Sequence, residues 1–187
     1  MWATFNVPLE GQGEWGLLPL VAGVAIMRAL RGYAIPGLRL RWPNDVLVGR
    51  AKLAGILVER PLPTLGSIGI GLNMHNDVCS LASRVQDPPA RLADLVPDCP
   101  PVPVFTAILA EAIRSAFTDF TDGGFPALEE ELQAAWGSPR PVLAHTDSGL
   151  ITGSVLGILP DGSPRLAQAD GRVIAVPALA INRLQEA

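Results

Sequence analysis

Hydrophobic and polar positions change period several times along the chain, and each change predicts an element. Residues 1–9 (MWATFNVPL) are rich in strand formers and break at Gly11 and Gly13, which predicts an opening strand. Residues 17–31 are apolar almost throughout and end in Arg28 and Arg31, the pattern of a buried helix with basic residues at its negative dipole end. Gly32 to Gly37, with Pro36, stops it. Residues 38–42 alternate strictly, as a half-buried strand does, and Pro43-Asn44-Asp45 interrupts them. Residues 46–48, 53–59 and 67–74 predict three further strands, turned at Gly49-Arg50 and across 61–66. All belong to one meander.

The segment 77–103 carries six prolines and no sustained period, so a long surface connection is expected, with one short helix near 90–95. Pro103 suits the first turn of a helix over 104–120, and Gly123-Gly124 ends it. Pro126 opens another helix through Trp136. From Ser138 short β-prone runs alternate with Asp147-Ser148-Gly149, Asp161-Gly162-Ser163 and Asp170-Gly171. Strands near 141–146, 150–159, 164–169, 172–176 and 179–184 describe a small barrel. The fold class is therefore α+β: a mixed or antiparallel sheet with packed helices over 1–137, and a small β-barrel over 138–187.

Composition narrows the function. With 187 residues, 49% apolar and 17% charged, the chain is globular in type, one domain or one with an appendage. A net charge of −4 argues against nucleic acid as a partner. The apolar run 17–27 is about half a bilayer span, and acidic Glu10 and Glu14 do not suit a signal peptide, so no membrane partner is expected. Two cysteines, Cys79 and Cys99, suit a reducing cytoplasmic setting. Yet residues 28–60 hold seven basic groups against two acidic ones, a local positive field fit for an anionic small molecule. Thirteen of the fourteen basic residues are arginine; the single lysine is Lys52.

Three segments carry candidate chemistry: Arg41-Trp42-Pro43-Asn44-Asp45, Lys52-Leu53-Ala54-Gly55-Ile56-Leu57 and Gly69-Ile70-Gly71-Leu72-Asn73. An amide beside a carboxylate at a strand end suits a polar ligand and a divalent cation, or a plain Asx turn. A strand–turn–strand of seven residues returns Lys52 toward Asp45. Gly55, Gly69 and Gly71 sit inside strands, where glycine weakens the element unless a ligand or another backbone approaches closely. His75 and His145 have no metal-ligand spacing and read as surface or loop residues. Trp136 and Phe125 read as core between the two domains, and Glu129-Glu130-Glu131 as a solvated helix face.

In these segments the chain resembles the biotin–protein ligases, which activate biotin with ATP and transfer it to a carrier-protein lysine. That family's Lys-Trp-Pro-Asn-Asp motif appears as Arg41 to Asp45, its Lys-Leu-Ala-Gly-Ile-Leu motif is intact from Lys52, and its Gly-x-Gly-x-Asn motif stands at Gly69 to Asn73. The resemblance implies a class II synthetase-like catalytic core and an SH3-like C-terminal barrel. It implies that Lys52 is catalytic, contacting the biotin carboxylate and the α-phosphate, and that Gly55, Gly69 and Gly71 lie against biotin. Arg41, Trp42, Asn44, Asp45 and Asn73 would serve ATP, with Asp45 on its Mg²⁺. The implied partner is the biotin carboxyl carrier domain of a carboxylase, and homodimerisation through the sheet is an open alternative.

Two departures set further expectations. Arg41 replaces the family's lysine with a planar fork. The family's Gly/Arg-rich loop, with a preceding helix and strands, is not legible upstream of residue 1, so a chain lacking part of the catalytic domain and turning over weakly is expected. No helix-turn-helix is legible either. The alternatives are a non-catalytic biotin- or carrier-binding module and a lipoate or octanoate ligase of the same superfamily.

Overall fold

The computed structural model describes residues 1–9, 14–78 and 87–186. The expected break at Gly11 and Gly13, Cys79 and part of the proline-rich connection lie outside the described residues. Strands β1 (Trp2–Pro8), β2 (Leu38–Arg41), β3 (Asp45–Val48), β4 (Ala51–Leu62) and β5 (Leu65–Leu72) form one sheet in the order β1-β5-β4-β3-β2. Every pairing is antiparallel. The predicted meander is thus present, and it sets the three motif segments on neighbouring strands. One difference concerns β4, which runs through Pro61 where a connection is expected. Its register shifts between Glu59 and Leu62, so Pro61 falls in an irregular stretch that does not need its missing N–H.

Helix α1 (Leu18–Leu30) is buried almost all round and lies against α3 (Val102–Gly123), α4 (Pro126–Trp136) and the sheet. By length and composition 15–33 could cross a membrane, but 56% of its apolar window is buried within the protein. The expected short helix is a single turn, α2 (Leu92–Leu95). In α3 Phe105, Leu109, Ala112, Ile113, Ala116 and Phe120 make one buried stripe at helical spacing. This helix begins before Pro103, because the first N–H groups of a helix lack partners in any case. On β5, Gly66, Ile68, Ile70 and Leu72 face this core while Ser67, Gly69 and Gly71 face the other way. One sheet face is therefore covered by helices, and among the described residues no helix covers the other.

Strands β6 (Pro141–Thr146), β7 (Gly149–Ile158), β8 (Pro164–Ala167), β9 (Val173–Ala175) and β10 (Ile181–Glu186) form a second antiparallel sheet, in the order β10-β6-β7-β8-β9. It is consistent with an SH3-like barrel. The two sheets share one apolar core, to which Val142, Ala144, Val155 and Leu166 contribute. Trp42 Nε1 donates to the carbonyl of Gly162 at 2.9 Å, and Arg39 forks onto Glu186 at 2.5 and 2.7 Å. Trp136 and Phe125 are buried as expected.

Two expectations about charge fail. Glu131 is no solvated helix face: its carboxylate accepts from Arg28 and Arg31, and Arg28 reaches Asp119 and Ser115 as well. The basic run 28–60 offers less free positive charge than its count suggests, because Arg28, Arg31 and Arg39 are neutralised by carboxylates distant in sequence. His145 lies on β6 with its Nε2 buried, and not in a loop.

Candidate functional site

The β3–β4 hairpin builds the site. Gly49 takes φ +60° in the turn, a conformation that a side chain would strain. Opposite residues then pair as Val48 with Ala51, Leu47 with Lys52, Val46 with Ala54 and Asp45 with Gly55. Leu53 is the extra residue of a bulge. It is buried, as is Ala54 beside it, so alternation breaks there. The break brings Lys52 onto the same face as Gly55 and Asp45, which strict alternation would have denied it. The Lys52 backbone is fixed on its outer edge, its N–H donating to Pro88 O and its carbonyl accepting from Ala90 N, both at 2.8 Å.

Charge is arranged as a chain of four groups. Lys52 Nζ pairs with Asp45 Oδ1, a contact that is an ion pair and not an aligned hydrogen bond. Arg41 Nη2 reaches Asp45 Oδ2 at 2.5 Å, and Arg41 forks onto Asp87 at 2.9 Å (Nη1) and 2.6 Å (Nη2). These hydrogen bonds, to Asp87 foremost, raise the Arg41 pKa against the opposing effect of burial. In return the Arg41 fork holds the Asp87 carboxyl below the usual carboxylate range. The Asp45 side chain is 12% exposed, and that of Lys52, at 40%, is the solvent-facing end of the chain.

Lys52 stands at the edge of a cavity of about 830 Å³ over the uncovered face of β1, β5 and β4. Gly55, Gly69 and Gly71 line it together with Asn44, Asn73 and Asp87. A Cβ on Gly55 would lie 3.1 Å from both Cε and Nζ of Lys52, so this glycine makes room for the ammonium. One on Gly71 would meet the Trp2 ring at 2.9 Å. Asn44 Nδ2 donates to Ile56 O at 2.8 Å, and Asn73 Nδ2 lies 3.4 Å from Lys52 O, so both amides brace β4 beside the cavity.

The structure brings together Lys52, Gly55, Gly69, Gly71, Asn44 and Asn73 on the cavity, with Asp45 directly behind Lys52. Arg41 and Trp42, expected on the nucleotide side, do not line it. Arg41 lies one layer back, and the Trp42 ring is buried with its N–H spent on Gly162. Asp45 does not fit as a resident Mg²⁺ ligand, since both its oxygens already face cations. Among the described residues no group of three or more His, Cys, Asp or Glu could hold a metal ion. Trp2, Glu59 and Asp87 also line the cavity, and the sequence reading missed them. Glu59 could have been found, because it shares the Gly55 and Leu57 face of β4 by alternation. Asp87 left no local signal.

Residues 8–73 match the biotin/lipoate A/B protein ligase family. The chain is 42% identical to the biotin–[acetyl-CoA-carboxylase] ligase of Mycobacterium tuberculosis over 72 residues, 37% of this chain and 26% of that protein. It is 25% identical to the bifunctional ligase/repressor BirA of Bacillus spizizenii over 172 residues, 89% of this chain and 52% of that one. The chain thus spans about half or less of these relatives' lengths. In fold it is similar to the biotin protein ligase of Aquifex aeolicus, with a TM-score of 0.82 at 21% identity over 100% of this chain and 82% of that one. The same enzyme in complex with biotin and ATP gives 0.81 at 20% identity, covering 100% of this chain and 79% of that one. Over these spans the chain is similar to biotin–protein ligases, and it shares the fold of the Aquifex aeolicus enzyme.

Proposed function

We propose that this chain activates biotin with ATP and transfers it to a lysine of a biotin carboxyl carrier domain. The observation that carries the reading is the single lysine of the chain, held by Asp45 at the edge of a glycine-lined cavity. In the first step a biotin carboxylate oxygen bonds to the α-phosphorus of ATP, and the bond to the β-phosphate oxygen breaks with loss of pyrophosphate. Lys52 holds the carboxylate and the α-phosphate together and offsets the charge that builds at phosphorus. Gly55, Gly69 and Gly71 let the ligand lie close on the strands. Asn44 and Asn73 keep β4 in place at the nucleotide end. In the second step a carrier amine attacks the acyl carbon, AMP departs, and the amine proton passes to solvent. Magnesium enters with the nucleotide as part of the substrate.

The test is ATP-dependent biotinylation of a carrier domain, with pyrophosphate release that requires biotin. Lys52→Gln is expected to lower the rate by about 10²–10³-fold, the usual cost of losing one transition-state charge partner. The matching family covers lipoate as well as biotin ligases, which supports a second reading as a lipoate or octanoate ligase. Pyrophosphate release with lipoate or octanoate and not with biotin would establish it. Carrier binding without any release would mark a non-catalytic module.

A further inference from the structure

The four-group chain has two cations and two carboxylates, so its charges cancel although the proposed ligand beside it is anionic. Asp87 is the reason. Its side chain is 31% exposed and lines the cavity, whereas Arg41, 15% exposed, lies behind it. Asp87 holds both terminal nitrogens of the Arg41 fork, the geometry in which a guanidinium binds a phosphate. Lys52 and Arg183 add longer-range attraction to the same carboxylate. An anion arriving at this wall meets a guanidinium already occupied by an internal one.

We propose that Asp87 is a positioning residue that acts through Arg41: it occupies the fork, competes with the phosphates of the ligand and sets how tightly the cavity holds an anion. The inference rests on the proposed ligase reading for the identity of that ligand, but its test needs neither biotin nor turnover. Arginine in place of the lysine of the resembling motif fits the same picture. A guanidinium can hold Asp45 and Asp87 at once, while an ammonium would have to favour one of them.

The experiment measures binding of inorganic pyrophosphate to the chain by calorimetry at low and moderate salt, with the Arg41 Nε–H signal followed by NMR. Asp87→Asn is expected to tighten binding about tenfold, from one charge removed and one fork released. Glu59→Gln removes a charge from the same cavity without touching Arg41, so its gain should stay near twofold. Asp87→Glu should restore the original affinity. Arg41→Lys placed on Asp87→Asn should erase most of the gain. The Arg41 signal should shift on pyrophosphate addition in Asp87→Asn and stay in place in the unaltered chain. Asp87→Ser serves as a second variant should Asn impair folding, and the same gain is expected. Equal gains in the Asp87 and Glu59 variants, weaker binding after loss of Asp87, or no pyrophosphate binding by any variant would each overturn the proposal. Failed biotinylation with the expected affinity pattern would instead overturn the ligase reading alone.

Discussion

Gly55→Ala separates the stability of this site from its function. The new methyl would stand 3.1 Å from Lys52 Cε and Nζ and 3.7 Å from Asp45 Oδ1. Carbon contacts settle near 3.5–4.0 Å, so the lysine head must retreat by about 0.5 Å or more. It can do so, because the side chain is 40% exposed and flexible, whereas Asp45 is fixed from its other side by Arg41. Two small effects on stability then oppose each other. Removing glycine from a strand stabilises by about 0.5–1 kcal/mol through the unfolded chain. Loosening a partly exposed ion pair costs about 0.2–1 kcal/mol. The melting temperature should therefore stay within about 3 °C of the original. The site has no such compensation. A displacement of this size in a charge-positioning group can lower turnover by up to about 10²-fold. Differential scanning calorimetry and pyrophosphate release, read on one preparation, check both halves. A variant that melts more than 10 °C lower, or one that works normally, would refute the reading of Gly55 as space for the ammonium.

Glu131→Gln should destabilise by about 1–2 kcal/mol at neutral pH, since Arg28 is only 18% exposed and loses its main carboxylate partner. The bond from Arg28 holds the Glu131 carboxyl below its ordinary value of 4.5, so its stabilisation is complete above that value and is lost as pH falls through the lower, folded one. Urea unfolding should therefore show the gap between the two proteins closing below about pH 4; a gap that persisted would mean the pair is not its source. Trp42→Phe should cost about 2 kcal/mol by orphaning the Gly162 carbonyl, with pyrophosphate affinity unchanged because Trp42 does not line the cavity. A changed affinity at intact stability would return Trp42 to the nucleotide site.

What was legible in the sequence was what local periodicity writes. The alternation of 38–42 became β2, the apolar run 17–31 became α1, and Pro126 and Trp136 bound α4 as read. Lys52 and Asp45 could be paired in advance because both lie on one short hairpin. The bulge at Leu53 was hidden, although two adjacent buried residues after a lysine are the trace it leaves. Partners separated by many residues were not legible at all. Trp42 meets Gly162, Arg28 meets Glu131 and Arg41 meets Asp87 across the fold, and no window of local pattern contains either end's need for the other.

Those distant partners also explain why counting charge along the chain misjudged the cavity. A linear excess of basic residues suggests an attractive surface, but arginines recruit carboxylates wherever folding brings them near, and buried ones must do so. Of the seven basic residues in 28–60, Lys52 is the one that lines the described cavity, and even this one is paired. Binding strength for an anion then depends on how readily the internal carboxylates yield their partners, not on how many cations the segment carries. Asp45, 9% exposed and held from two sides, is built to stay. Asp87, hydrogen-bonded by Arg41 and facing the cavity, is the carboxylate that can give way.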